Sequence, residues 1–169
     1  MIKPQPEEYA PFYKGYIDLI GNDDVLEKLS SNRKKTYSFF LSLPDEKADF
    51  AYAEGKWSVK EVLGHLTDTE RIMSYRLLRF SRGDYNALAG FNENFYSSKS
   101  NHKERTLEDL ADEFSTLRKA NFYLYQNLND EQLKRKGVAS NAIVSGKALL
   151  YIIAGHELHH IQIIKERYL

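Results

Sequence analysis

The stretch GHELHHIQII, residues 155–164, decides how the rest of the chain is read. Around it a stripe recurs every three to four residues: Leu149, Ile152 or Ile153, His156, His160, Ile163 or Ile164. That period is helical, and a spacing of four sets His156 and His160 on one side, one turn apart. The same letters spell H-E-x-x-H, which in zinc peptidases supplies two ligands and a general base. A peptidase of that kind needs a third ligand, usually downstream. The nine residues after His160 offer no His or Asp, and Glu166 is their only carboxylate. It also needs an edge strand to hold a peptide, and the chain shows no strand pattern. The metallopeptidase reading therefore stands behind the others, and Glu157 is expected on a helix flank in a surface ion pair.

Two imidazoles in one apolar stripe pose a physical problem, because each buried ring needs partners for both nitrogens. A divalent ion answers it, since histidines at i and i+4 converge on one ion. His65 occupies the matching stripe of an earlier helix, between Val62 and Thr69. His65 and His156 each follow a glycine, in GHL (64–66) and GHEL (155–158). Glycine inside a helix costs about 1 kcal/mol relative to alanine, so the pair predicts a close approach of the two backbones. The competing reading is three core histidines with ordinary hydrogen-bond partners. His65, His156 and His160 are the candidate ligands. His159 is turned about 100° from its neighbours and is expected at the rim or against another helix. His102 reads as a surface residue.

Working outward, the pattern is helical nearly everywhere. Residues 4–20, with Pro4, Pro6 and Pro11, predict a short helix or tethered arm rich in aromatics. Asn22 is the expected N-cap of a first long helix that Pro44 ends. Ser58 and Glu61 form a capping box for a second, running to about Arg82. Its inward face includes Val62, His65, Leu66, Thr69, Met73, Arg76 and Phe80. Residues 84–105 read as a long polar and aromatic loop, of a length that often serves function. Thr106 starts a third helix and Ser145 a fourth, separated by a polar connection over 129–144. The expected architecture is all-α, an antiparallel four-helix bundle in one domain, 1–169, with one long loop connection.

Composition sets the function classes. There are 24 basic and 24 acidic side chains, for zero formal net charge. A nucleic-acid binder would show a basic excess or stripe, and an anionic membrane would ask for the same. The absence of cysteine removes disulfides, thiolate metal sites and a cysteine nucleophile. No run of about 20 apolar residues spans a bilayer, and the N-terminal prolines and acids do not suit a signal peptide. A cytoplasmic protein is expected.

Residues 55–84, GKWSVKEVLGHLTDTERIMSYRLLRFSRGD, followed by YIIAGHELHHIQIIKERYL at 151–169, closely resemble the DinB/YfiT-like superfamily. The likeness extends over nearly the whole chain and rests on KWS-x-x-E-x-x-GH and GHE-x-HH in order. It implies a four-helix bundle with a three-histidine site, one ligand from the second helix and an H-x-x-x-H pair from the fourth. These fall on His65, His156 and His160. It also implies zinc or nickel, frequent homodimers, and in some relatives transfer of a small thiol such as bacillithiol to an electrophile.

Three neutral nitrogens with open positions are the plan of a catalytic metal site. The leading expectation is a metal-dependent enzyme that activates water, as a hydrolase, or a low-molecular-weight thiol, as a transferase, on a small molecule. The alternative is a non-catalytic, metal-stabilised stress-response binding module. Asp68, one turn beyond His65, is a candidate to orient a ligand or accept a proton. Arg76 is a candidate to bind an anionic substrate, or else to sit in a buried salt bridge.

Overall fold

Short polar side chains start each of the four long helices. The structure, a computed structural model, describes residues 1–169. Helix α1 spans Lys14–Ile20 after two short 3-10 turns, and α2 spans Val25–Leu41. Asp24, not Asn22, caps α2: its carboxylate accepts from the Leu26 and Glu27 amides and also pairs with the N-terminal ammonium at 2.8 Å. The cap falls there because Val25, the next residue, is already fully buried. Helix α3, Val59–Ser81, opens on the Ser58–Glu61 capping box. Short α4, Glu93–Lys99, is followed by α5, Leu107–Gln126, capped by Thr106. Short α6, Asp130–Lys134, precedes α7, Gly146–Arg167, capped by Ser145. No helix is long and apolar enough to cross a membrane.

Two expected loops carry structure. Residues 84–105 hold α4 and a 3-10 turn at His102–Glu104. Residues 136–145 form a hairpin: β1, Lys136–Ala139, pairs antiparallel with β2, Ala142–Ser145. Ser140 and Asn141 make its turn at positive φ, 52° and 62°, the two-residue geometry that suits the twist of paired strands. Leu88 adds a parallel bridge to Ala139. Strands of four residues are too short to show a period, so all-α describes the bundle and not this edge of it.

Helices α2, α5, α3 and α7 pack in that order around the core, each against the next, and α7 closes on α2. Arg33 meets Ser115 and Arg118 meets Leu29, so α2 and α5 run antiparallel. Leu77 and Phe80 pack in one apolar cluster with Leu149 and Ile152, while Val62 and Leu66 share a second with Ile164. Helices α3 and α7 are therefore antiparallel too. Glu70 meets Arg118 and Ser74 meets Tyr125, which makes α3 and α5 parallel. Val25 belongs to the first cluster and Phe40 to the second, so α2 and α7 are parallel as well. The antiparallel bundle expected from sequence is thus corrected in part: two neighbouring pairs are antiparallel and two are parallel, and the expected long connection is what joins a parallel pair. Parallel α3 and α5 require the chain to run back along the bundle between them. That return is the stretch 82–106, which lies across the histidine face.

The two glycines do not bring α3 and α7 together. A Cβ on Gly64 would strike the His102 imidazole, and one on Gly155 would strike the Tyr16 carbonyl of α1. Each admits a different covering element. His102 is accordingly buried, not a surface residue.

Gly155→Ala is expected to cost about 1–3 kcal/mol by overpacking against fixed backbone. Gly15, in α1 with open space where a Cβ would stand, should gain about 0.5–1 kcal/mol on the same change. Urea unfolding of the two variants should show midpoints moving in opposite directions with little change in slope.

Candidate metal centre

His65 on α3 and His156 and His160 on α7 meet at the floor of a cavity of about 300 Å³. The Nε2 atoms of His65 and His156 are 3.0 Å apart, and those of His156 and His160 3.1 Å. All three rings offer a nitrogen within 4.8 Å of the others. His156 is buried and the other two are half-buried. Burial pushes the His65 imidazole down to about 4 and that of His160 to about 3, and holds His156 well below the usual range. All three are neutral at pH 7, the form that ligates metal.

The nitrogens fit a divalent ion. An imidazole nitrogen carries one in-plane site, either a proton or a lone pair. His156 Nε2 has two close neighbours and one such site, so hydrogen bonding satisfies at most one of the two contacts. An ion about 2.0–2.1 Å from each nitrogen sets pairs of them about 3.0–3.4 Å apart, as found here for the two pairs that His156 makes. The donor set is all nitrogen, a type that suits a divalent transition-metal ion.

The walls are aromatic. Trp57, the only tryptophan in the chain, packs on His65 with ring centres 4.6 Å apart and reaches His160 at 6.5 Å. Tyr16 of α1 sets its ring edge-on to His156 at 5.4 Å and also covers His159 at 5.1 Å, so His159 packs against another helix. Phe91 and Glu93 enter from the long return, and Glu93 brings a carboxylate to the rim. Thr69 Oγ1 lies 3.4 Å from His65 Nδ1.

Other sequence candidates lie elsewhere. Asp68 is outside the cavity lining, half-buried and 3.6 Å from Arg71; desolvation raises its carboxyl. Arg76 is buried, but it neither lines the cavity nor forms a salt bridge. Its guanidinium donates to the Ala89 carbonyl and Ser140 Oγ, pinning the return segment to the hairpin turn. Glu157 is not on a helix surface. Its carboxylate is fully buried against Arg118 of α5, at 2.9 Å, and accepts from Thr36 of α2. Turned from the cavity, it is not placed as a peptidase base.

The core also holds a buried charge cluster that lies outside the sequence expectations. Arg118 also donates to Glu70 at 2.7 Å, and all three side chains are at most 2 % exposed. Two carboxylates thus share one guanidinium. The signal was available: Glu70 falls four residues after Leu66, and Arg118 four after Phe114, each on an apolar stripe. Charges of opposite sign on two core stripes predict a buried pair.

Fold and site define a helical bundle that presents three convergent histidines at the base of an aromatic pocket. The chain belongs to the DinB superfamily, which residues 28–164 match. Among solved structures it is similar to YfiT from Bacillus subtilis, described as a probable metal-dependent hydrolase with an unusual four-helix bundle topology. There the TM-score is 0.73 at 22% identity, over 98% of this chain and 90% of that one. A DinB-like protein of Bacillus subtilis, YjoA, aligns with TM-score 0.59 at 20% identity, over 85% and 89% of the two chains. A mycothiol-dependent maleylpyruvate isomerase aligns with TM-score 0.58 at 15% identity, over 82% of this chain and 60% of that one. At these identities the likeness is one of fold. No curated protein matches in sequence.

The lowered imidazoles set a pH dependence. The unfolded chain takes up protons near pH 6.5 that the folded histidines refuse until about pH 4 or below. Stability of the metal-free protein is therefore full above about pH 6.5 and lost as pH falls toward 4. Glu157 and Asp68, whose carboxyls burial raises, act in the opposite sense at the acid end. Urea midpoints of chelator-treated protein should drop between pH 7 and 5.5, and His160→Gln should flatten that drop.

Replacing Arg118 by Met leaves two buried carboxylates without their cation. A loss of about 3–5 kcal/mol is expected, read by urea or thermal unfolding at pH 7.

Proposed function

We propose that this protein is a metal-dependent enzyme that hydrolyses a small, uncharged substrate. His65, His156 and His160 hold the ion, zinc or nickel. The observation that carries this reading is the convergence of three neutral imidazole nitrogens at the floor of an open cavity. Bound there, a divalent ion supplies Lewis acidity that makes water nucleophilic near neutral pH. The chain's own residues do the rest. Trp57 and Tyr16 hold the imidazoles in place and exclude bulk water. The return segment narrows the mouth, and Glu93 presents a proton acceptor at its rim.

The cavity lining favours hydrolysis over thiol transfer. Seven of its thirteen residues are hydrophobic, Glu93 is its one carboxylate, and it contains no Lys or Arg. A small thiol bearing carboxylates would meet no cationic side chain there, since Arg76 is committed to Ala89 and Ser140. An uncharged ester or amide with an apolar body fits these walls.

Elemental analysis of the purified protein should find about one zinc or nickel per chain, the stoichiometry of one three-ligand site. His65→Ala should release it. The loaded wild-type protein should cleave an uncharged aryl ester, and chelation or His65→Ala should abolish that turnover. A protein that binds the ion yet hydrolyses neither esters nor amides would be a metal-stabilised binding module. Metal-dependent conjugation of a small thiol, with no hydrolysis, would reassign the reaction to transfer.

A further inference from the structure

A small cavity of about 10 Å³ shares Thr69 and His156 with the main one and is otherwise lined from the core. Its polar lining is Thr69, Glu70, Arg118, His156 and Glu157. The volume suits a single water, which needs two to four polar neighbours.

Glu70 shows an asymmetry. Its Oε1 accepts from Arg118 Nε at 2.7 Å, Tyr125 Oη at 3.2 Å and Asn121 Nδ2 at 3.4 Å. Its Oε2 is buried, and no protein group donates to it. A buried carboxylate oxygen demands a donor. His156 has the complementary need. Its Nε2 is committed to the point where the three imidazoles converge, so Nδ1 is the ring's remaining polar atom. Ligating histidines are held by what the other nitrogen bonds.

We infer that Glu70 is a positioning residue for His156, acting through one water held in the small cavity. The water donates one hydrogen to Glu70 Oε2 and accepts the Nδ1 proton of His156. Glu157 and Thr69, on the same walls, offer acceptors for its second hydrogen. This fixes His156 as the Nδ1–H tautomer, with its bare Nε2 lone pair turned to the ligand point. The short Arg118 bond to Oε1 is enough to hold Glu70 with Oε2 free to do this; the longer Tyr125 contact, at 3.2 Å, is not needed for it. The tautomer is a property of the metal-free chain; its effect on ion binding rests on the metal-site reading above.

Glu70→Gln tests the inference with almost no change of shape. Three donors at the Oε1 position require the Gln carbonyl oxygen there, which places the amide NH₂ where Oε2 stood. The water must then accept at that point, which frees the hydrogen it gave Glu70 to turn toward His156 Nδ1 and so favours the reversed relay. Long-range 1H–15N spectra of the metal-free protein should find the His156 proton on Nδ1 in the wild type and shifted toward Nε2 in Glu70→Gln. The zinc dissociation constant, measured by chelator competition, should rise about 10–100-fold. Tyr125→Phe removes a donor to Oε1 without touching Oε2, and should leave tautomer and zinc affinity where they are.

A wild-type His156 protonated on Nε2 overturns the inference. So does a zinc affinity that Glu70→Gln leaves unchanged, or that Tyr125→Phe weakens equally. A wild type that binds neither zinc nor nickel, yet carries an Nδ1 proton that Glu70→Gln displaces, upholds the positioning and sinks the metal-dependent function instead.

Discussion

One guanidinium touches all four long helices. Arg118 of α5 donates to Glu70 of α3, to Glu157 of α7 and to the Leu29 carbonyl of α2. Buried ion pairs add little net stability over a well-packed apolar core, because desolvation offsets attraction. Their effect is on arrangement. An apolar stripe tolerates a slip of one turn, whereas three directed bonds from one fork do not. The register of α3 against α7 places His65 opposite His156, and Arg118 sets that register from behind. Its ligands flank the centre in sequence as well: Glu157 is next to His156, and Glu70 is five residues past His65.

The parallel run of α3 and α5 is the second determinant. Two adjacent parallel helices cannot be joined by a short turn, so the chain must return along the bundle. The return carries Phe91 and Glu93 to the cavity mouth, and His102 into the notch at Gly64. Arg76 holds its near end to the hairpin turn. A connection forced by topology thereby becomes a wall of the pocket. The N-terminal segment supplies the facing wall through Tyr16, admitted by the notch at Gly155.

Much of this was legible in the sequence, for local reasons. Ser58, Thr106 and Ser145 cap their helices through bonds within three residues. The spacing of His156 and His160 follows from helical pitch alone. What sequence obscured was decided at a distance. Asn22 and Asp24 are equally good caps in isolation, and burial of Val25 chooses between them. The glycines look like a matched pair because both precede a histidine, yet each answers to an element that periodicity does not place beside it. Glu157 sits in a motif that invites a catalytic reading, and its fate depends on an arginine 39 positions earlier. The hairpin at 136–145 escaped because two four-residue strands carry no period. Helix direction escaped too, since amphipathic stripes specify which face is buried and not which way a neighbour runs.

The lone tryptophan has an optical consequence. The Trp57 indole lies against His65 and within reach of His160, and no other indole contributes to the protein's emission. Its fluorescence is therefore a local signal from the histidine cluster rather than an average over the fold. A protonated imidazole, a coordinated ion and a ligand in the cavity each change the environment of that one ring differently. The protein thus carries an intrinsic reporter of its own centre, readable without a label.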